Sequence, residues 1–222
     1  MIDRPADDDL LVELARGAIA VGVDAPLGWP DAFVAAVAAQ HQFDRWPAGT
    51  DRSPLTHRET DRFTKQFTGR LPLSASADLL GVVAMRCALL QRRWADEVWG
   101  SAAPRDGSGV LSETYPSAAF AVWDIEAKGY KARRDAKAAA VVRERIVEEL
   151  SAATGSWLDL GDVAAGAVRS DHVLDALVCG LIAIAAGDAN THRPAPELVE
   201  VARREGWIHV PSVPLDSLRP PA

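Results

Sequence analysis

A chain of 222 residues that is 48% hydrophobic and 25% charged has enough apolar side chains for one sizeable core, which excludes a disordered or low-complexity protein. Its formal charge of −7 excludes a protein that coats nucleic acid by bulk electrostatics alone. The longest apolar run, residues 173–186, contains Asp175 and falls short of the roughly 20 residues that cross a bilayer, so neither a membrane span nor a membrane partner is expected.

The amino terminus is acidic from Asp7 to Asp9 and lacks a basic region followed by an apolar stretch, so no secretory signal is expected. Cys87 and Cys179 sit in apolar helical patterns and are expected as free, buried thiols. Together these features predict a cytoplasmic protein.

In chain order, the pattern predicts a short helix over 10–16 and a buried strand over 19–23 that ends at Asp24. Pro26, Gly28 and Pro30 break the chain, and Pro30 suits the first turn of a helix running to residue 39. A polar loop over 41–55 follows. Thr56 and Glu59 have capping-box spacing, which predicts a helix from there to about Phe67. After a linker over 71–76, an amphipathic helix over 77–99 is expected to turn Leu79, Leu80, Val83, Cys87 and Leu90 toward the core. A second strand over 110–115, a short helix over 117–123, and helices over 132–153, 170–186 and 196–205 come next, with a terminal strand over 207–210. Strands alternating with helices predict an α/β domain.

Asp171 and Asp175 are four apart on the most apolar helix of the chain, so they share a face and repel. A bound divalent cation would account for the pair. Asp24, at a strand end before Ala25 and Pro26, suits either a ligand-crevice position or a turn residue bonding its own backbone. Alternation puts Glu113 on the face of Leu111 and Tyr115, an acid on the apolar side of a strand. These carboxylates offer the oxygen ligands that magnesium or manganese prefers.

Competing chemistries lack their patterns. The five histidines are scattered, neither cysteine has a partner at ligand spacing, and no Walker loop, dinucleotide fingerprint or serine elbow is present. His172 adjoins Asp171 and fits either a proton relay or a hydrogen bond at a helix start. Seven lysines and arginines between Lys128 and Arg145 form either a solvated helix surface or a local basic face for nucleic acid.

Residues 23–30 (Val-Asp-Ala-Pro-Leu-Gly-Trp-Pro), 58–61 (Arg-Glu-Thr-Asp), 73–76 (Leu-Ser-Ala-Ser), 113–116 (Glu-Thr-Tyr-Pro), Tyr130-Lys131, 171–177 and 205–208 (Glu-Gly-Trp-Ile) occur together in this order. That series resembles the domain-of-unknown-function family 429, whose members are described as predicted nucleases of the ribonuclease H-like fold. The resemblance runs from about residue 8 to the end. The helix over 170–186 is also similar to that of bacterial Holliday-junction resolvases, which carries an Asp pair before Ala-Leu.

The resemblance implies a ribonuclease H-like mixed sheet flanked by helices, as one domain over 1–222 with a helical insertion at about 41–100. It implies a magnesium- or manganese-dependent phosphodiesterase acting on DNA or RNA, with two ions about 3.5 to 4 Å apart. Asp24, Asp171 and Asp175 would then be metal ligands and catalytic residues, with Glu113 a candidate fourth. Lys131 and Arg58 would be candidates for phosphate contact, although Glu59 and Asp61 beside Arg58 equally suit a structural ion pair.

In one respect the chain departs from that family. Members resemble other ribonuclease H-like domains in opening with a strand that bears the first catalytic Asp, followed by two more, and this chain is expected to begin after them. The strand over 19–23 would then be an unpaired apolar edge open to a second copy. A start codon assigned too late is the favoured explanation; a strand supplied by another chain and a decayed relative that only binds a partner are the others. An actin-like phosphotransferase would need a glycine-bearing phosphate loop, which the chain lacks.

Overall fold

A computed structural model describes residues 7–44, 46, 51–77 and 79–219. Helix α1 (Asp8–Leu14) starts where the Asp7 carboxylate accepts the Leu10 N–H at 2.8 Å, a side-chain cap that satisfies an otherwise free donor. The chain then turns into β1 (Val21–Val23). This strand is shorter than expected, and Ile19 lies outside it, exposed. Helix α2 (Asp31–His41) follows directly on Pro30.

The next helix starts later than its capping pattern suggests. Thr56 ends a single turn, α3 (Ser53–Thr56), and α4 (Glu59–Thr68) is capped by Arg58, whose N–H donates to Asp61 at 2.8 Å. Arg58 and Asp61 are both buried, and tertiary partners of Arg58 decide the boundary over the local Thr56–Glu59 spacing. Helix α5 (Leu80–Trp94) continues into a π-turn (Ala95–Trp99), and Gly100 in the left-handed region ends it. Its buried side chains are Ala84, Cys87, Leu90 and Trp94. Leu79 and Val83, expected inside, are exposed.

Strand β2 (Leu111–Glu113) and α6 (Pro116–Val122) come next, with Pro116 in the first helical turn. Helix α7 (Ala136–Thr154) is capped by Asp135, which accepts the Ala138 N–H. Helix α8 (Asp162–Arg169), which the sequence pattern does not announce, joins α9 (Asp171–Gly187) through the single extended residue Ser170. Only eight residues long, α8 holds its place by packing against α7 and α9 and not by propensity. A 3-10 turn (Pro196–Leu198) leads into α10 (Val199–Glu205).

The protein is therefore mixed α/β and mostly helical, around a small parallel sheet. Strand β1 pairs with β2 in the register Val21 with Leu111 and Val23 with Glu113. On the far side of β2, the expected terminal strand is reduced to a parallel bridge between Glu113 and Ile208. One core lies among α6, α7, α8 and α9; a second joins α1 and α5 to the strands. Helix α9 crosses so close to β1 that a Cβ on Gly22 would lie 2.3 Å from the Cys179 carbonyl oxygen, so only glycine fits there.

The Val21 N–H donates to Val110 at 2.7 Å and the Val23 oxygen accepts from Thr114 at 2.9 Å. Alternation therefore turns the Gly22 N–H and C=O toward the other edge, where the sheet has no further strand among the described residues. No helix among the described residues is long and apolar enough to cross a membrane. Cys87 and Cys179 are free and buried.

Candidate functional site

Parallel strands end on the same side of a sheet, and the crevice beyond their carboxyl ends is where α/β proteins gather ligand-binding groups. Here β1 runs into Asp24 and β2 into Thr114 and Tyr115. The loop between α6 and α7 adds Tyr130 and Lys131, and the first turns of α9 add Asp171 and Asp175. A pocket of about 360 Å³ opens among Asp24, Tyr115, Tyr130 and Lys131, with Pro26, Pro72, Leu73 and Leu80 as an apolar wall. A second, of about 320 Å³, lies beside β1 and α9 between Gly22, Asp24, His172, Asp175 and Cys179.

Asp175 is buried, and both of its oxygens are engaged. Oδ1 accepts from the Tyr130 hydroxyl at 2.9 Å, and Oδ2 lies 2.7 Å from Lys131 Nζ. Desolvation works against charge on Lys131, but the hydrogen bond to Asp175 and the nearby charges of Asp175, Asp24 and Asp171 outweigh it and raise its pKa. Burial, and next the Asp175 charge, push the Tyr130 phenol far above its usual range. Tyr130 is thus a donor and not a base.

Asp24 differs. It has no hydrogen bond or ion pair among the described residues. Solvent reaches it from the pocket, yet protein surrounds it closely enough that desolvation, and then the Asp175 charge, push its carboxyl up to about 6 from 3.8. Its charge also contributes, after desolvation, to raising the Cys179 thiol to about 12. Asp171 is half-buried at the first position of α9 and lines a smaller recess with Lys131, Arg133 and exposed His172.

Glu113 and Arg58 are spent on each other. All five Arg58 N–H groups are used: Nε and Nη2 on Asp61 (3.2 and 2.8 Å), Nη1 and Nη2 on Glu113 (2.8 and 2.6 Å), and Nη1 on the Glu205 carbonyl (3.0 Å). Glu113 Oε2 also accepts the Leu27 N–H at 3.0 Å. Burial disfavours charge on both, but this donor set suits only a carboxylate facing a guanidinium, and Glu113 and Asp61 hold Arg58 protonated well above its usual range. Every Arg58 N–H is thus taken and both Glu113 oxygens are engaged, although both residues border the larger pocket.

The same junction absorbs most of the other motif residues. Glu205 accepts the Asp31 N–H at 2.8 Å and the Glu59 N–H at 2.9 Å, so one buried carboxylate caps α2 and α4 together. The Thr60 hydroxyl accepts the Ile208 N–H at 2.7 Å. A Cβ on Gly206 would lie 2.7 Å from Glu113 Oε2. The Lys128–Arg145 segment divides in two. Arg143 is buried and bonds the Tyr130 and Val168 carbonyls, whereas Lys128, Arg133, Arg134 and Lys137 are exposed.

Tyr130, Tyr115 and Glu205 are visible from sequence only as members of short motifs, and the partners of Tyr130 and Glu205 lie far away in the chain. Fold and pocket together define a mixed α/β protein with an acidic, lysine-bearing pocket at the ends of two parallel strands. The chain belongs to the family described as Protein of unknown function (DUF429), which it matches over residues 7–198. No curated protein and no solved structure matches it.

Proposed function

We propose that this protein is a divalent-metal-dependent phosphodiesterase of the ribonuclease H-like class, acting on DNA or RNA in the pocket at the ends of β1 and β2. The supporting observation is Asp24, a partnerless acid whose pKa is raised by desolvation and by Asp175. Two carboxylates that destabilise each other's charge in one pocket favour a cation between them.

Among the described residues, no three His, Cys, Asp or Glu side chains are grouped so that they could hold a metal ion together. The chemistry of Asp24 and Asp175, with Asp171 one turn away, fits the looser arrangement in which one or two carboxylates hold magnesium or manganese, and water and substrate phosphate complete the shell. Such an ion supplies polarisation of the phosphoryl oxygen and a more acidic water. Tyr130 orients Asp175. Lys131, released from Asp175, meets a phosphate oxygen, and Pro26, Pro72 and Leu73 narrow access for water. Arg58 and Glu113 hold the strand ends from behind. Exposed Lys128, Arg133, Arg134 and Lys137 supply charge for a nucleic-acid backbone. Residues 41–100 count as a helical insertion on this reading.

The test is manganese titration followed by thermal melting, with cleavage assays on single-stranded, duplex and branched DNA and on RNA. Manganese is expected to raise the melting temperature of the wild type but not of Asp175→Asn, and to support cleavage. Equal metal response in both proteins removes Asp175 as a ligand. The Lys131 ammonium already seated on Asp175 supports a second reading, a catalytically decayed relative that binds a partner; nucleic-acid binding without cleavage in manganese would select it.

A further inference from the structure

The first half of α5 is apolar on the outside as well as the inside. Leu79 is 88% exposed, Val82 77%, Met85 65%, Leu89 53% and Val83 40%. Positions 82, 85 and 89 repeat at helical spacing on the side opposite the buried Ala84, Cys87, Leu90 and Trp94, and Leu79 at the helix start continues this stripe; Val83 lies on the buried side and is only partly uncovered. The stripe presents roughly 500 Å², toward the upper end for the largest apolar patch of a monomer.

The charges beside it are compensated. Arg86 lies 2.8 Å from Asp8, Arg92 pairs with Asp96, and Arg93 pairs with Asp9 and Glu97. Among the described residues, Arg86, Arg92 and Arg93 beside the stripe are all paired, which argues against an anionic lipid surface, since such a surface draws amphipathic helices through unpaired lysine and arginine. The same neutrality removes the repulsion that a second copy would otherwise meet.

We infer that this stripe is the interface of a homodimer in which α5 packs against α5 of a second copy across a two-fold axis. A two-fold interface requires a patch complementary to itself. A helical row of aliphatic side chains meets that requirement by setting its ridges into the grooves of its own copy. Two stripes remove roughly 1,000 Å² from water, about the least that a specific interface buries, which fits a dimer formed at micromolar concentration. Leu80, which follows Leu79, walls the pocket that holds Asp24, so the second copy sits beside the pocket. The inference does not depend on the reaction proposed above.

Sedimentation velocity and light scattering on the full chain at tens of micromolar test it. The wild type is expected at twice the chain mass. Val82→Asp and Met85→Glu, changes at exposed positions, are expected at one chain mass with unchanged far-ultraviolet circular dichroism. Leu89→Ser provides a milder variant should either fail to fold. A wild type at one chain mass overturns the inference. So does a wild-type dimer that all three variants preserve, which would point to the open edge of β1. Wild-type monomer that co-sediments with phosphatidylcholine vesicles assigns the stripe to lipid and overturns it as well.

Discussion

Lys131 Nζ sits 2.7 Å from Asp175 Oδ2 while the hydroxyl of its chain neighbour Tyr130 holds the other oxygen at 2.9 Å. One loop thereby neutralises the buried acid of α9, while Asp24, at the end of β1, has no hydrogen bond or ion pair among the described residues and feels Lys131 only through space. The behaviour of the pocket follows from that asymmetry.

Asp24→Asn is expected to stabilise the protein at neutral pH. The folded pKa of about 6 exceeds the ordinary 3.8, so the favourable contribution of Asp24 is complete below 3.8 and is lost as pH rises to 6. Because solvent reaches this carboxyl, the gain at pH 7 to 8 should be about 1 kcal/mol, near 2–4 °C in melting temperature. The difference between wild-type and variant stability should vanish near pH 4. A variant less stable than the wild type at pH 8 contradicts the assignment.

Lys131→Met leaves Asp175 and Asp24 without their cation. The lysine is half-exposed, so the expected loss is about 1 kcal/mol, and adding Asp24→Asn should recover part of it. Additive single effects, measured in a denaturant double-mutant cycle, would show that the three groups are not coupled.

Arg58→Lys is expected to cost about 3 to 5 kcal/mol, because one ammonium cannot replace five buried, directed donors and leaves Glu113 and Asp61 short of partners. Removing both charges with Arg58→Met and Glu113→Gln should cost less than the sum of the single changes. A melting temperature within 2 °C of wild type for Arg58→Lys would show that the buried network does not hold the strand ends.

His209 is buried with Nδ1 2.8 Å from the Thr191 hydroxyl, and burial first, then Arg193, push its pKa down to about 4. The unfolded chain protonates near 6.5, so stability from this group is present above 6.5 and falls as pH drops toward 4, by at most about 1.4 kcal/mol per pH unit. His209→Gln should flatten that part of the stability profile; an unchanged slope between pH 6.5 and 4 excludes the effect.

The carboxylates on α9 were legible because Asp is out of place on an apolar helix, and Asp24 because a β-branched run ends at it. The roles of Glu113 and Arg58 were not. An acid on the apolar side of a strand announces that it has a partner, but the partner is 55 residues away, beyond any local spacing. Leu79 and Val83 were expected inside for a related reason: they are as apolar as Cys87 and Leu90, and only the position of α1 and the strands selects which part of α5 is covered.

By itself, the sequence determined the order of most elements, the break after Asp24 and the family, since these rest on local periodicity and short motifs. The tertiary structure decided which acids are neutralised and which is left open, because charge compensation here runs between segments far apart in the chain. Asp175 meets Tyr130 and Lys131 across 45 and 44 residues, and Arg58 takes up Glu113 and Glu205. Residues of one chemical type therefore divide into scaffold and pocket only once the chain is folded.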